Sequence, residues 1–346
     1  MAARSTWTSL QTLVFSCTGE GMGHAARVAA LASELSARYR IVIFAPRNRH
    51  RFLRSHVPGA TLYDIPYFAF VKKNERVEYV RTLMHNVDKL LRFHITVRRM
   101  SRLLRRIGPA ACVSDYDPFI GFAARRLGIP VLQLNHPSIV LRSPSLSFQA
   151  ITAKLLSWFL MGYHDKRVLC SFYNGDVGPI VRRSLTQRPI RRDDFFVVYL
   201  KPSYRRVVTR KLRELGITNV EIFPDPKKDF VSAMARCKGV ISSAGHQLMS
   251  EAIVLGKPAF VIPQRQQFEQ YLNARMLEQS GYGTWAPLQN LDESLSRFIS
   301  EIDFYPRFPQ RGQVRFSFRN ELDRAVDIID DFVAGRSHSG VGHVAA

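Results

Sequence analysis

His24 and Asp115 are the residues of this chain best placed to move a proton. His24 closes the run Thr18-Gly19-Glu20-Gly21-Met22-Gly23, which carries glycine at every second position from 19 to 23. Imidazole titrates near neutral pH, so it can take a proton from a hydroxyl as a general base. At a helix start the macrodipole disfavours the imidazolium, which suits a base. A carboxylate on a second strand end, Asp115, could hold one tautomer and stabilise the charged form. The plainer alternative has His24 bonding its own turn and Asp115 capping the helix that starts at Pro118. Glu20 and Asp117 compete for the carboxylate role.

A second group of reactive types spans residues 240–283. Ser243-Ala244-Gly245-His246 follows an apolar run, and exposed amides at such a turn bind an anion such as a diphosphate. Glu251 comes five residues after His246, about one and a half helical turns in. Its carboxylate accepts hydrogen bonds, so it suits a diol such as a ribose. Glu269 and Gln270 stand before Asn273-Ala274 and could accept from and donate to sugar hydroxyls.

These residues need strand ends to hold them. Gln11 to Cys17 is β-rich, residues 25–38 are Ala- and Leu-rich with helical spacing, and Ile41 to Ala45 reads as a strand. Strand, glycine turn, helix, strand is the opening unit of a doubly wound sheet. Ala110 to Ser114, ending at Asp115, Ile129 to Leu134 and Leu62 to Ile65 read as further strands. Residues 85–107 read as one amphipathic helix with six arginines. Residues 178–194 read as a linker. The pattern restarts at Phe195 to Leu200, with strands at Val220 to Phe223, Gly239 to Ser242 and Ala259 to Ile262, and helices between. A nicotinamide-binding fingerprint is disfavoured: the glycine spacing is wrong, and the second strand ends at Pro46-Arg47 without a carboxylate.

The 240–283 run resembles the nucleotide-sugar signature of GT-B glycosyltransferases. The bacterial peptidoglycan GlcNAc transferase and the UDP-glycosyltransferases show related runs. Ser243, Gly245, Glu251-Ala252, Gly256, Pro258, Pro263, Glu269-Gln270, Asn273-Ala274, Leu277-Glu278 and Gly281 carry the likeness. The Gly-x-Gly-His loop and the Arg126 to Pro130 run add to it, so it covers both halves. The resemblance implies an α/β, GT-B fold of two Rossmann-like domains facing a cleft. The expected division is 1–180 for the acceptor and 190–315 for the donor. A helix in 316–336 would cross back, and a disordered tail would follow at 337–346.

The resemblance also assigns roles. Gly21, Gly23, Ser243, Gly245 and His246 would lie at the donor, the last three at its diphosphate. Glu251 would take the ribose, Glu269 and Gln270 the sugar, and Phe223 with its strand end the base. His24 would be the base and Asp115 its partner. The implied reaction is inverting transfer from a nucleoside-diphosphate sugar, UDP by default, to a hydroxyl acceptor, with no tightly bound metal. Leu200 to Tyr204 departs from the pattern, lacking the glycine-rich loop usual there; Lys201 and Ser203 stand in its place. The competing expectation is a non-catalytic nucleotide-sugar or polyanion binder with a degenerate transferase fold.

Composition constrains the partners. The 346 residues are 46% hydrophobic, which excludes disorder as the main state. Fifty Lys and Arg against 28 Asp and Glu leave a net charge of +22. That favours polyanions: nucleic acid, an anionic membrane surface or phosphorylated substrates. No motif with base-stacking aromatics is visible, so nucleic acid is the least favoured. Residues 140–167 read as a loop that mixes Leu141, Leu146, Phe148, Leu155, Leu156, Trp158 and Phe159 with Arg142, Lys154, Lys166 and Arg167. Such a patch suits an anionic membrane that presents a lipid-linked acceptor; core plus a solvated face is the alternative. Four widely spaced cysteines form no CxxC pair, and no h-region marks a leader. The expected place is the cytoplasm, peripheral at the inner face of the cell membrane.

Overall fold

The computed structural model describes residues 10–73, 76–309 and 312–335. The expected tail at 337–346 and the first nine residues lie outside them. From the amino end the chain runs β1 (Thr12–Cys17), α1 (Gly23–Leu35), β2 (Arg40–Ala45), α2 (Arg47–His56) and β3 (Thr61–Asp64). A hairpin of β4 (Lys72–Lys73) and β5 (Arg76–Val77) precedes α3 (Tyr79–Leu91), α4 (Phe93–Ile107), β6 (Ala111–Asp115), α5 (Pro118–Arg125) and β7 (Val131–Asn135). Then come α6 (Phe148–Met161), β8 (Lys166–Leu169) and the short α7 (Arg183–Thr186). The second half holds β9 (Phe196–Tyr199), α8 (Pro202–Glu214), β10 (Val220–Phe223), α9 (Phe230–Arg236), β11 (Gly239–Ser243) and α10 (His246–Val254). It closes with β12 (Ala259–Ile262), α11 (Phe268–Ser280), β13 (Gly283–Trp285), α12 (Leu291–Ser300) and α13 (Leu322–Val333).

Each half is one parallel sheet. The first has the order β3-β2-β1-β6-β7-β8, the second β10-β9-β11-β12-β13. Helices cover both faces, so the central strands are buried throughout: β1 is buried at all six positions. In both sheets the chain reverses its direction of progress beside its first strand. The switch points are therefore β1/β6 and β9/β11, where strand ends part and leave a crevice for a ligand. The register pairs Cys17 with Asp115 in the first and Tyr199 with Ser242 in the second. Strand ends on both sides of each crevice are thus level.

The last helix joins the first half. Leu322, Ala325, Val326 and Ile329 share a core with Leu31 and Leu35 of α1 and with Val177 and Ile180. Arg38 pairs with Asp330 at its rim.

Two expectations change. The single helix over 85–107 is two helices that meet at Arg92, whose backbone (φ −92°, ψ 9°) is not helical. Phe93 anchors α4 in a ring cluster with Phe119, Phe122 and Phe159. α4 buries Val97, Met100 and Leu104 and leaves its arginines to water, as an amphipathic core helix does. On α3, by contrast, Val80, Leu83, Met84 and Leu91 are exposed. The stretch 140–167, first read as a loop, holds α6, begun by a Ser147 cap on the Ala150 amide.

Candidate active site

The glycine loop between β1 and α1 turns at Gly21, whose φ of +79° is one that L side chains rarely adopt. A Cβ on Gly23 would sit 3.0 Å from Cβ of Gln247, so a side chain there would need α10 of the other half to give by a few tenths of an ångström. That approach sets His24 at the floor of the cleft. Nδ1 of His24 donates to Oδ1 of Asp115 at 2.8 Å, since a carboxylate can only accept. The ring lies parallel to Tyr116, 5.9 Å away between centroids. Nε2 is left as the nitrogen for a substrate proton.

The alternatives for these residues resolve by geometry. Asp117, not Asp115, caps α5: its oxygens accept from the amides of Phe119 and Ile120. Burial pushes its carboxyl up to about 6. Glu20 is taken by Lys72 Nζ at 2.7 Å and by the Phe70 amide. Asp115 is 2% exposed. Burial by itself would raise its carboxyl, but the Arg27 guanidinium and His24 outweigh this and hold it below the usual carboxylate range. Arg27 forks onto both of its oxygens, Nε to Oδ2 at 2.8 Å and Nη2 to Oδ1 at 3.0 Å.

The opposite wall belongs to the second half. Gly245 is the N-cap of α10, and the first-turn amides of that helix have no partner within it. Ser243 precedes it at the end of β11. Glu251, 3% exposed, accepts from Gln247 Nε2 at 3.2 Å and lies 3.8 Å from Arg182. Burial raises its carboxyl, with Arg182 and Gln247 partly offsetting it. Glu269 sits in the first turn of α11, across from the dyad. Desolvation raises it too, against the pull of His24 and Arg27. Phe223 is buried and packs edge-on against Phe230 at 5.2 Å.

Gln270 and His246, both expected at the donor, meet the cleft differently from that expectation. Gln270 spends its carbonyl on the Gln264 amide at 2.9 Å, which keeps its Nε2 for another group. The His246 ring turns inward: it stacks on His136 at 3.5 Å and its Nε2 accepts from the Phe172 amide. Burial keeps both rings neutral, His136 down to about 3 and His246 also well below the usual range. The His246 ring is thus spent on these partners, and its backbone amide is one of the first-turn amides of α10.

One cleft of about 1010 Å³ holds His24, Ser243, Gly245, Glu251, Glu269 and Gln270 in its walls. Sequence reasoning missed Arg27, Arg182, His136 and Gln247. Arg27 is three residues after His24, a helical neighbour on the same face, and that spacing was the available signal. Among the described residues no group of three His, Cys, Asp or Glu is placed to hold a metal ion. The four cysteines are free and buried.

Two parallel sheets with level switch points, opening on one shared cleft, make a GT-B fold. The chain belongs to the glycosyl transferase family 1, whose model matches residues 11–303. It is 24% identical over 282 residues to an uncharacterized glycosyltransferase of Methanopyrus kandleri, covering 69% of this chain and 81% of that one. A second, from Methanosarcina mazei, is 22% identical over 85% of this chain and 90% of its own. Among solved structures the glycotransferase of kitacinnamycin superposes with a TM-score of 0.61 over 93% of this chain and 98% of its own, at 15% identity. MurG of Acinetobacter baumannii gives 0.56 over 92% and 99%, at 16%. At such identities the likeness to solved structures concerns the fold.

Proposed function

We propose that this glycosyltransferase moves a sugar from a nucleoside-diphosphate sugar, UDP-linked, to a hydroxyl acceptor with inversion at the anomeric carbon. The carrying observation is the His24–Asp115 pair, 2.8 Å apart, whose imidazole lines the same cleft as the N-terminus of α10. Nε2 of His24 removes the acceptor proton as its oxygen attacks the anomeric carbon. The bond from that carbon to the diphosphate oxygen breaks, and the nucleoside diphosphate leaves with the electron pair. First-turn amides of α10 stabilise the leaving charge. Glu251 serves the ribose, Glu269 and Gln270 the sugar, and Phe223 borders the base. UDP follows the resemblance to UDP-using transferases.

Thermal melting with UDP, GDP, TDP and NAD separately tests the donor reading. UDP is expected to raise the melting temperature most; at 100 times its Kd, binding adds about 2.7 kcal/mol. A shift with NAD alone would reject the donor assignment.

The acceptor is proposed to be lipid-linked, with the enzyme peripheral on an anionic membrane face. Phe68, Phe70, Leu156 and Leu160 make the acceptor end of the cleft apolar. α6, which supplies the last two, exposes Leu155 (65%) and Trp158 (71%) on its outer side. α3 adds Leu83 and Met84, with Arg81 and Lys89 on the same helix. No described helix is long and apolar enough to cross a membrane. Burial of a large apolar side chain contributes about 1.5–3 kcal/mol. The pair Leu155→Ser and Trp158→Ser is therefore expected to cut flotation with phosphatidylglycerol vesicles at least tenfold. Equal flotation of both proteins, or none by the native one, rejects the membrane face.

A further inference from the structure

The reaction above uses His24 and Asp115, yet the group in most intimate contact with Asp115 is a third residue. Arg27 is 3% exposed, and its fork meets both carboxylate oxygens. Such a planar two-point contact fixes the carboxylate plane, which a single hydrogen bond from His24 would leave free to turn. The third nitrogen, Nη1, reaches Oε1 of Gln247 on α10 at 3.5 Å. Gln247 in turn donates to Glu251 and to the Ile180 carbonyl. Arg27 thus stands between the dyad and the carboxylate expected at the ribose.

We propose that Arg27 is the positioning residue of the dyad: it clamps Asp115 in one orientation and shares its charge, so that Nδ1 of His24 meets a carboxylate held in one plane and already matched by a cation. This rests on the reading of His24 as the base. An ordinary His–Asp pair draws the imidazole toward its charged form, because the carboxylate is an uncompensated anion. Here the Asp115 charge is balanced by Arg27 before any proton moves. Arg27 also repels a charge on His24.

The surroundings leave that balance to few groups. His136 and His246 are buried and Tyr116 half-buried, and desolvation holds all three neutral. Glu20 is matched by Lys72, and Arg49 is bound to the Gly19 carbonyl. Asp117 is spent on the α5 cap, and Glu251 faces Arg182. Glu269 is the remaining carboxylate that acts on both His24 and Arg27. It stays in place in every variant below, so its influence cancels between them.

The test titrates His24 by NMR in the full-length protein labelled at histidine, with His24→Gln used to assign its signal. In Arg27→Met the His24 pKa is expected to rise by about 1 unit, the scale of one nearby charge. The acid limb of kcat/KM should move up with it. In Arg27→Lys the charge returns without the fork: the pKa should stay within about 0.3 unit, while kcat falls about tenfold at unchanged KM. An unmoved His24 pKa in Arg27→Met overturns the proposal, as does full activity in Arg27→Lys. If the methionine variant does not fold, the double variant Arg27→Met with Asp115→Asn replaces it, since neutral pairs are often tolerated where a single buried charge is not. Its His24 pKa should then lie at or below the native value, and a higher value refutes the charge-sharing. Should no glycosyl transfer be found at all, the NMR arm still decides on Arg27, and only the catalytic reading falls.

Discussion

Replacing His24 by Ala is expected to lower kcat by about 10²–10⁴-fold, the usual contribution of a positioned general base. Donor affinity should change by no more than about twofold, because His24 makes no direct hydrogen bond to Ser243, Gly245 or Glu251 and reaches them only through Asp115, Arg27 and Gln247. The reason is spatial. His24 bonds to Asp115 and stacks near Tyr116, both on the first sheet, whereas Ser243, Gly245 and Glu251 belong to the second. Turnover at saturating donor, measured beside calorimetric titration with UDP, checks both halves. A variant that loses UDP binding along with turnover would place His24 on the donor side. A variant that keeps turnover would remove it from the mechanism.

The second large effect belongs to Asp115→Asn, and it has two components. In catalysis the amide cannot stabilise the imidazolium, and it can hold the wrong tautomer; the same change in a Ser-His-Asp triad costs about 10⁴ in kcat. In stability it leaves the Arg27 guanidinium buried without the anion it forks onto. Breaking a buried pair from one side costs about 3–5 kcal/mol, so the urea midpoint at pH 7 should fall markedly. The sign of the pH dependence follows from the lowered Asp115 carboxyl. A group whose folded value is depressed contributes stability above its unfolded value, about 3.9 for Asp. That contribution is lost as pH falls through the folded value. The gap between native and Asp115→Asn proteins should therefore be widest near neutrality and shrink below about pH 4. A gap that is constant from pH 7 to pH 3 would mean that Asp115 is not ionised in the fold.

The alternation of strands and helices was legible because it is local. Apolar runs at strand length, glycine after β1 and alanine-rich spacing in α1 are properties of neighbours in the chain. The donor signature was legible for the same reason, since residues 243–281 lie within one β-α-β-α stretch. Errors came where a distant contact overrides local pattern. The apolar spacing of 85–107 runs on through Arg92, but the docking of Phe93 beside Phe119 and Phe159 breaks the helix there. His246 sits correctly at a helix start, yet its ring is claimed by His136 and Phe172 from the other side of the chain.

What the sequence alone determined is the inventory: a glycine turn ending in histidine, an aspartate on a strand end, and a carboxylate on a helix. Which of them meet was decided by the tertiary structure. Asp115 reaches His24 because β1 and β6 are adjacent and level at a switch point, and sheet order is set by packing over the whole domain. Arg27, one of the basic residues behind the +22 charge, differs from the solvated arginines of α4 only in what packs around it. A guanidinium three residues after a histidine becomes a clamp only when a strand far along the chain brings a carboxylate to it.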